Sequence, residues 1–494
     1  MKLIQRALLL AGISCVCLHG ENVRAQNISD RYTGAQIQRD LDSLAKWIIA
    51  IHPSPFVHCS SVEFEAAIES AKSTFAGGGT LYGAAQMAAK ICGVVKDSHT
   101  GVALQSFSNQ LGATYGHLPL EIQTVNNRLI VTTSAGNTKF IGSEIKLIND
   151  VSARSILGGA LALVSQEGDA ELARLRMSEK LWNDIAPFAS GIGISDSVKV
   201  QYASGQTEIL PILKNQEMQG WNAIKSHATP ISCKEIQEDN RITIVLKIKH
   251  FHPENIRTFR KEIKACFTRI YTLQSSKSDV EFSGLVIDLR GNSGGHIAIM
   301  AELLPYLTTS PVALPSGVQI KASEEARNRW GTGRFGLVRK TSYLMNLKAL
   351  KSTLNRMAND SIAFVSFDHT IRPHRRFAYT GTAALILDGL SASATVSMAS
   401  WFVRSGRGET FGEPPMGSVS GTFGNPVRLA LPETSLAVNI ASARYFTQTP
   451  VRWDARPLLV DHPVTPTALD IKRGTDSVME AALYWVSQSK SIVP

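Results

Sequence analysis

Between residues 30 and 112, apolar side chains recur at the spacing of helix faces. Leu41, Leu44, Trp47, Ile48 and Ile51 share one face of a first helix, which the breaker His52-Pro53-Ser54-Pro55 ends. Phe64, Ala67, Ile68 and Ala71 mark a second helix, closed by Gly77-Gly78-Gly79. A third runs from Tyr82 to Val94 and delivers the chain to Asp97-Ser98-His99-Thr100-Gly101. From about 117 to 214 the pattern changes to short β-rich runs between Asn, Gly and Ser turns, such as Leu118 to Ile122, Leu129-Ile130-Val131 and Val198-Lys199-Val200. From 242 onward strands and helices alternate. A strand is expected over Ile242 to Ile248, a helix over Ile256 to Tyr271, buried strands at Leu285 to Leu289 and Ala383 to Leu387, and hairpins near 430–448. The pattern predicts an α/β core behind a helical N-terminal region and a β-rich middle. A length of 494 residues fits two or three domains.

The N-terminus changes the expected compartment. Met1 to Arg6 carries two basic residues, Ala7 to Leu18 is apolar, and Val23-Arg24-Ala25 offers a small residue at a cut. That order reads as an export leader over 1–25, too short to span a membrane. Export would leave Cys59, Cys92, Cys233 and Cys266, an even number suited to disulfides. Four cysteines allow three connectivities; neighbour pairing, 59 with 92 and 233 with 266, is the expectation. The net charge of +10 is uneven, because residues 321–376 hold twelve Lys/Arg against four Asp/Glu. This stretch has no nucleic-acid motif, so a solvated basic insertion or a guide for acidic partners is expected. No Cys-x-x-Cys or His-Glu-x-x-His occurs, and no metal is expected.

Two segments carry candidate chemistry. Gly284-Leu285-Val286-Ile287-Asp288-Leu289-Arg290-Gly291-Asn292-Ser293-Gly294-Gly295 is a buried strand ending in a glycine-rich loop whose N–H groups can face an anion or oxyanion. A phosphate loop or a plain tight turn would read similarly, but no Gly-Lys-Ser/Thr follows. Leu385-Ile386-Leu387-Asp388-Gly389-Leu390-Ser391-Ala392-Ser393-Ala394-Thr395 is a second buried strand, running through small residues into a helix. Small neighbours let a carbonyl approach a serine hydroxyl, and the helix start favours developing negative charge. Ser391 or Ser393 could instead simply cap that helix. His250, His252, His369, His374 and His462 read as surface or satisfied core groups.

Together these segments resemble the "D-L-R-x-N-x-G-G" and "S-A-S-A-S" motifs of the tail-specific (C-terminal-processing) and tricorn-core serine peptidases. Gly412-Glu413-Pro414, Asp461 and Gly474-Thr475-Asp476 resemble further motifs of that family, in its order. Phe140 to Asp150 resembles the signature of a PDZ-like domain, with Asp150 where Gly is usual; Asp tolerates positive φ. The resemblance implies a crotonase-like α/β core over 221–494 with a basic insertion at 311–376. It also implies a PDZ-like domain over 113–220 and a helical region over 26–112. It implies Ser393 as nucleophile, and an oxyanion hole from the Ala394 amide with Gly294 or Gly295. The better-known branch places a lysine base 25 residues after the serine, where this chain has Ser418, and no lysine stands between Ser393 and Ile471. The tricorn-like branch instead carries a Ser-His pair after the N-terminal helices, which Ser98 and His99 match. His99 would be the general base, Ser98 a polarising or orienting group and Asp454 the acid behind the ring. The expected function is an exported serine peptidase acting on peptide or protein, without metal, organic cofactor, nucleic acid or retained membrane anchor. Two alternatives stay open: a non-catalytic peptide-binding protein of the same fold, and a hydrolase of non-peptide esters or amides.

Overall fold

A computed structural model describes residues 28–135, 138–189, 197–219, 229–253, 255–276, 280–331, 342–367, 370–447 and 456–488. The leader expected at 1–25, His369 and Asp454 lie outside the described residues. No helix among the described residues is long and apolar enough to cross a membrane.

The core is a six-stranded sheet. Its order is Ile231–Glu238, Arg241–Ile248, Glu281–Asp288, Ala383–Leu387, Glu409–Gly412 and His462–Pro463; the first pair is antiparallel and the rest run parallel. Period-two alternation explains the burial. Leu285, Ile287, Leu385 and Leu387 pack on helices Ile256–Ser275 and Ala394–Arg404, whereas Val286, Ala384 and Ile386 pack on helix Ser477–Gln488. Covered on both faces, the two central strands read as continuous apolar runs. The loops that follow Asp288, Leu387 and Gly412 all leave from the carboxyl ends of parallel strands, where open α/β sheets place ligands.

The basic stretch differs from the expected solvated insertion. Strands Gly317–Lys321 and Ile362–Ser366 join Ala443–Phe446 and Gly421–Gly424 in a second, antiparallel sheet. Val318, Ile320, Trp330, Leu350, Leu354, Val365 and Phe367 give it a core of its own. Charge counting missed this because, among the described basic residues of the stretch, only Lys321 lies in these strands; the others sit on the surrounding helices and loops.

The N-terminal helices Gly34–Ile51 and Ser61–Thr74 begin at capping boxes, Thr33 with Gln36 and Ser60 with Glu63. They share one apolar core with the middle region and with hairpin Val427–Ala430/Ala437–Ile440. In the middle region, Ile145–Ile148 turns through Asn149 and Asp150, both at positive φ, into Val151–Ser152 and helix Ala153–Leu161. Among the described residues one disulfide forms, Cys233–Cys266, tying the first strand of the main sheet to helix Ile256–Ser275. The expected Cys59–Cys92 bond does not form. Cys92 is buried in the packed face of helix Leu81–Val95, and Cys59 Sγ contacts the Pro55 carbonyl instead.

Candidate active site

Ser393 sits at the turn between strand Ala383–Leu387 and helix Ala394–Arg404, at φ 57° and ψ −120°. This left-handed region costs a non-glycine residue about 1–3 kcal/mol, and strain of this kind marks nucleophile elbows. Although Ser393 stands at the N-cap position, its side chain makes no capping hydrogen bond. Ser391 is the opposite case. It is fully buried, and its Oγ accepts the Asp388 N–H and shares its single proton between the Leu289 carbonyl and Asp388 Oδ1. Ser391 therefore holds the turn together and is shielded from any substrate.

The glycine loop lies directly against this turn. A Cβ on Gly294 would fall 2.7 Å from Ser393 Cβ, 2.7 Å from the Ala392 carbonyl oxygen and 2.9 Å from the Ala394 nitrogen. Asn292 stitches the two loops: its carbonyl takes the Ala392 N–H at 3.0 Å and its side chain spans Ile248 and the Gly294 N–H. That last bond matters for the oxyanion reading. Of the three candidate amides, Gly294 gives its N–H to Asn292, whereas those of Gly295 and Ala394 make no hydrogen bond among the described residues.

The motif residues that resembled a catalytic signature are architectural. Arg290 pairs with Asp288 and with Asp476, tying the glycine loop to the C-terminal helix. Glu413 forms a bidentate pair with Arg176, which also bonds Glu179, and all three are buried. Asp461 accepts the Thr410 N–H and hydroxyl. Ser418, at the position of the lysine in the better-known branch, is buried and donates to the Gly421 carbonyl at 3.1 Å.

His99 is held by a second assembly. The turn after helix Leu81–Val95 leads into strand Gly101–Val102, which pairs with Ala437–Ile440, and the Ala441 N–H bonds the Thr100 hydroxyl. Asp97 is fully buried; it accepts the His99 N–H at 2.8 Å and the Thr100 hydroxyl at 2.6 Å, and it contacts His52 Nε2 at 3.2 Å. The His99 ring places Nδ1 3.3 Å from Ser98 Oγ and 3.6 Å from Asp97 Oδ1, which leaves Nε2 without a hydrogen bond among the described residues. Burial works against the imidazolium, but Asp97 and the charge of Glu167 outweigh it and hold the ring above its ordinary pKa. Burial alone would raise the Asp97 pKa; His52 and His99 reverse this and hold it far below the usual carboxylate range.

Glu167 completes this assembly. It takes the Ser98 N–H at 3.1 Å and hydroxyl at 2.8 Å on one oxygen and the Phe423 N–H at 3.0 Å on the other. Burial and the charge of Asp97 push its pKa up to about 7. Asp97, His99 and Glu167 each bring one atom able to ligate a metal within 4.8 Å of the others. Both carboxylates already accept N–H and O–H donors, so a hydrogen-bond network accounts for the cluster.

The structure gathers the expected Ser393, Ala394 and Gly294 in one assembly and the expected Ser98 and His99 in another, the latter together with Asp97, His52 and Glu167, which the sequence analysis did not single out. Asp97 was detectable as the acid two residues before a candidate base. Glu167 had no local signal, since it meets Ser98 from 69 residues away. Ser393 and His99 are not hydrogen-bonded to each other among the described residues. The two assemblies share a support, in which Ala170 and Ala173, just after Glu167, pack with Met416 and with Ala392, the residue before Ser393.

Residues 244–455 match the model of Peptidase family S41, a span that contains Ser393 and the glycine loop but neither His99 nor Glu167. No curated protein matches the chain. Among solved structures, a point mutant of CPAF aligns over 93% of this chain and 99% of its own, with 12% identity and a TM-score of 0.63. Mature CPAF complexed with lactacystin aligns over 92% and 98%, with 14% identity and a TM-score of 0.61. These likenesses establish a shared fold.

Proposed function

We propose that this serine-type peptidase, whose residues 244–455 match the model of Peptidase family S41, cleaves peptide bonds through an acyl-enzyme on Ser393, with His99 as general base. The observation that carries this reading is the strained Ser393, whose side chain makes no capping hydrogen bond, at a turn packed against Gly294 of the glycine loop. Ser393 Oγ attacks the carbonyl as His99 Nε2 accepts its proton. The oxyanion is received by the Ala394 and Gly295 N–H groups, and Asp97 stabilises the imidazolium. His99 then returns the proton to the leaving amine, and water repeats the sequence on the ester. A histidine base suits a chain with Ser418 where a lysine would stand, because a hydroxyl cannot accept the proton near neutral pH. We further propose that Asp454 supports the ring from outside the described residues. The same reading takes residues 113–220 as a PDZ-like peptide-binding element, the sheet of 221–494 as a crotonase-like core and the chain as exported after loss of 1–25.

A fluorophosphonate probe tests the reading. Wild type should be labelled, Ser393→Ala should lose all labelling and turnover, and His99→Ala should lose several orders of magnitude while remaining folded. Retained turnover in Ser393→Ala would overturn the nucleophile assignment, and near-normal labelling of His99→Ala would remove the histidine base. An unlabelled wild type would favour the peptide-binding alternative, and ester turnover without peptide turnover the non-peptide one.

A further inference from the structure

The reaction above makes no use of Glu167, although the fold spends three hydrogen bonds on it. It lies between helices Ala153–Leu161 and Glu171–Ala189, and only 1% of it is exposed. Its two oxygens take the Phe423 N–H and both donors of Ser98. A buried carboxylate with three donors aimed at it is a built acceptor. Resting on the Ser393–His99 reading, we infer that Glu167 is a positioning residue that fixes the proton of His99 on Nδ1 by acting through Ser98.

The argument is a proton count. A serine hydroxyl has one proton to give. While Glu167 is ionised it can only accept, so Ser98 donates to it and can meet His99 Nδ1 only as an acceptor. The ring proton then sits on Nδ1, and the lone pair needed for catalysis sits on Nε2. If Glu167 gains a proton, or becomes an amide that donates, Ser98 can turn its own proton toward Nδ1. The ring proton then moves to Nε2, and His99 can no longer deprotonate Ser393. Asp97 Oδ1, 3.6 Å from Nδ1, pulls in the same direction as ionised Glu167, so the two carboxylates share the task.

Several charged groups face this relay. Asp97 and Glu167 flank His99, and His52 lies on the far oxygen of Asp97. Arg444 feels the charge of Glu167 from strand Ala443–Phe446, and the Lys96–Asp169 pair and His58 stand outside it. Since burial brings Glu167 to about 7, the control operates in the range where the ring itself changes charge. The helix that follows Glu167 also packs beside Ala392, so one segment supports both the base and the nucleophile.

The test uses the full chain and compares wild type, Glu167→Gln, Ser98→Ala and the double variant, all confirmed folded by thermal melting. Glu167→Gln should slow fluorophosphonate acylation about 10- to 100-fold, the usual scale for losing an outer partner of a functional histidine, with KM for peptide little changed. Its acid limb should move to lower pH, because a negative charge that raises the His99 pKa is gone. Ser98→Ala should give a similar loss, and the double variant should be no worse than the poorer single. Nitrogen NMR of the His99 ring should show the proton leaving Nδ1 in Glu167→Gln. Wild-type acylation in folded Glu167→Gln, or losses that multiply in the double variant, would overturn the inference. If Glu167→Gln does not fold, a wild-type rate in Ser98→Ala overturns it independently. A wild type that is not labelled at Ser393 would instead sink the underlying reading, so the two failures are distinguishable.

Discussion

The two halves of the proposed Ser393–His99 site are built by different means. On the nucleophile side, the main chain does the positioning. A strand, the turn of residues 388–393 and a helix set Ser393, and backbone hydrogen bonds join Ala392 to Asn292 and Met416 to Ser391. On the base side, His99 depends on side chains gathered from residues 52, 97, 98, 100 and 167 and on amides at 423 and 441. Main-chain positioning demands small residues and special φ values in one short stretch. Side-chain positioning demands only that distant polar groups meet, and it leaves Asp97, His99 and Glu167 open to titration. The first half should therefore be brittle to added atoms, and the second sensitive to charge and pH.

The sharpest test of brittleness is Gly294→Ala. The new Cβ would sit 2.7 Å from Ser393 Cβ and the Ala392 carbonyl oxygen, at a backbone φ of 95°. We expect acylation to fall by about 100-fold or more, the scale of a misplaced reacting group. Fluorophosphonate labelling that survives at the wild-type rate would break the contrast. On the base side, Asp97→Asn should act through charge. Removing the anion lowers the His99 pKa, so the acid limb of acylation moves to lower pH while the plateau falls roughly 10- to 1,000-fold. The pH profile checks this, and an unmoved limb would mean that Asp97 is only a structural acceptor. The smallest effect should come from Ser391→Ala. It removes a buried hydroxyl and leaves the Asp388 N–H unpaired, which should cost about 1–3 kcal/mol in a denaturant melt. Labelling should survive, because Ser391 is shielded from substrate.

The same contrast explains what could be read from the sequence. The buried strands, the glycine loop and the small-residue turn announce themselves, because each is contiguous and its composition follows from its backbone. The N-terminal helices were legible from their apolar spacing and from the breakers that end them. Glu167 was not, since nothing near it distinguishes it from a surface acid until the fold brings it to Ser98. Nor was the role of Arg176, which reads as an ordinary helix residue yet is buried between Glu179 and Glu413. The basic stretch misled for a related reason: charge counting sees the exposed residues and misses the alternating apolar ones that build a sheet. The disulfide expectation failed at Cys59 and Cys92 because sequence neighbourhood does not determine which sulfurs meet.

The pairing of Gly101–Val102 with Ala437–Ile440, and of Thr100 with Ala441, has a consequence for the timing of synthesis. The residues that hold the base-bearing loop in place are made after Ser393 itself. Translation adds about 5–20 residues per second, so His99 waits on the order of tens of seconds for its docking strand to be made. On the proposed Ser393–His99 reading, a ribosome-bound or prematurely terminated chain would have the serine but no seated base, and cleavage would begin only once residues 437–441 have been made and docked.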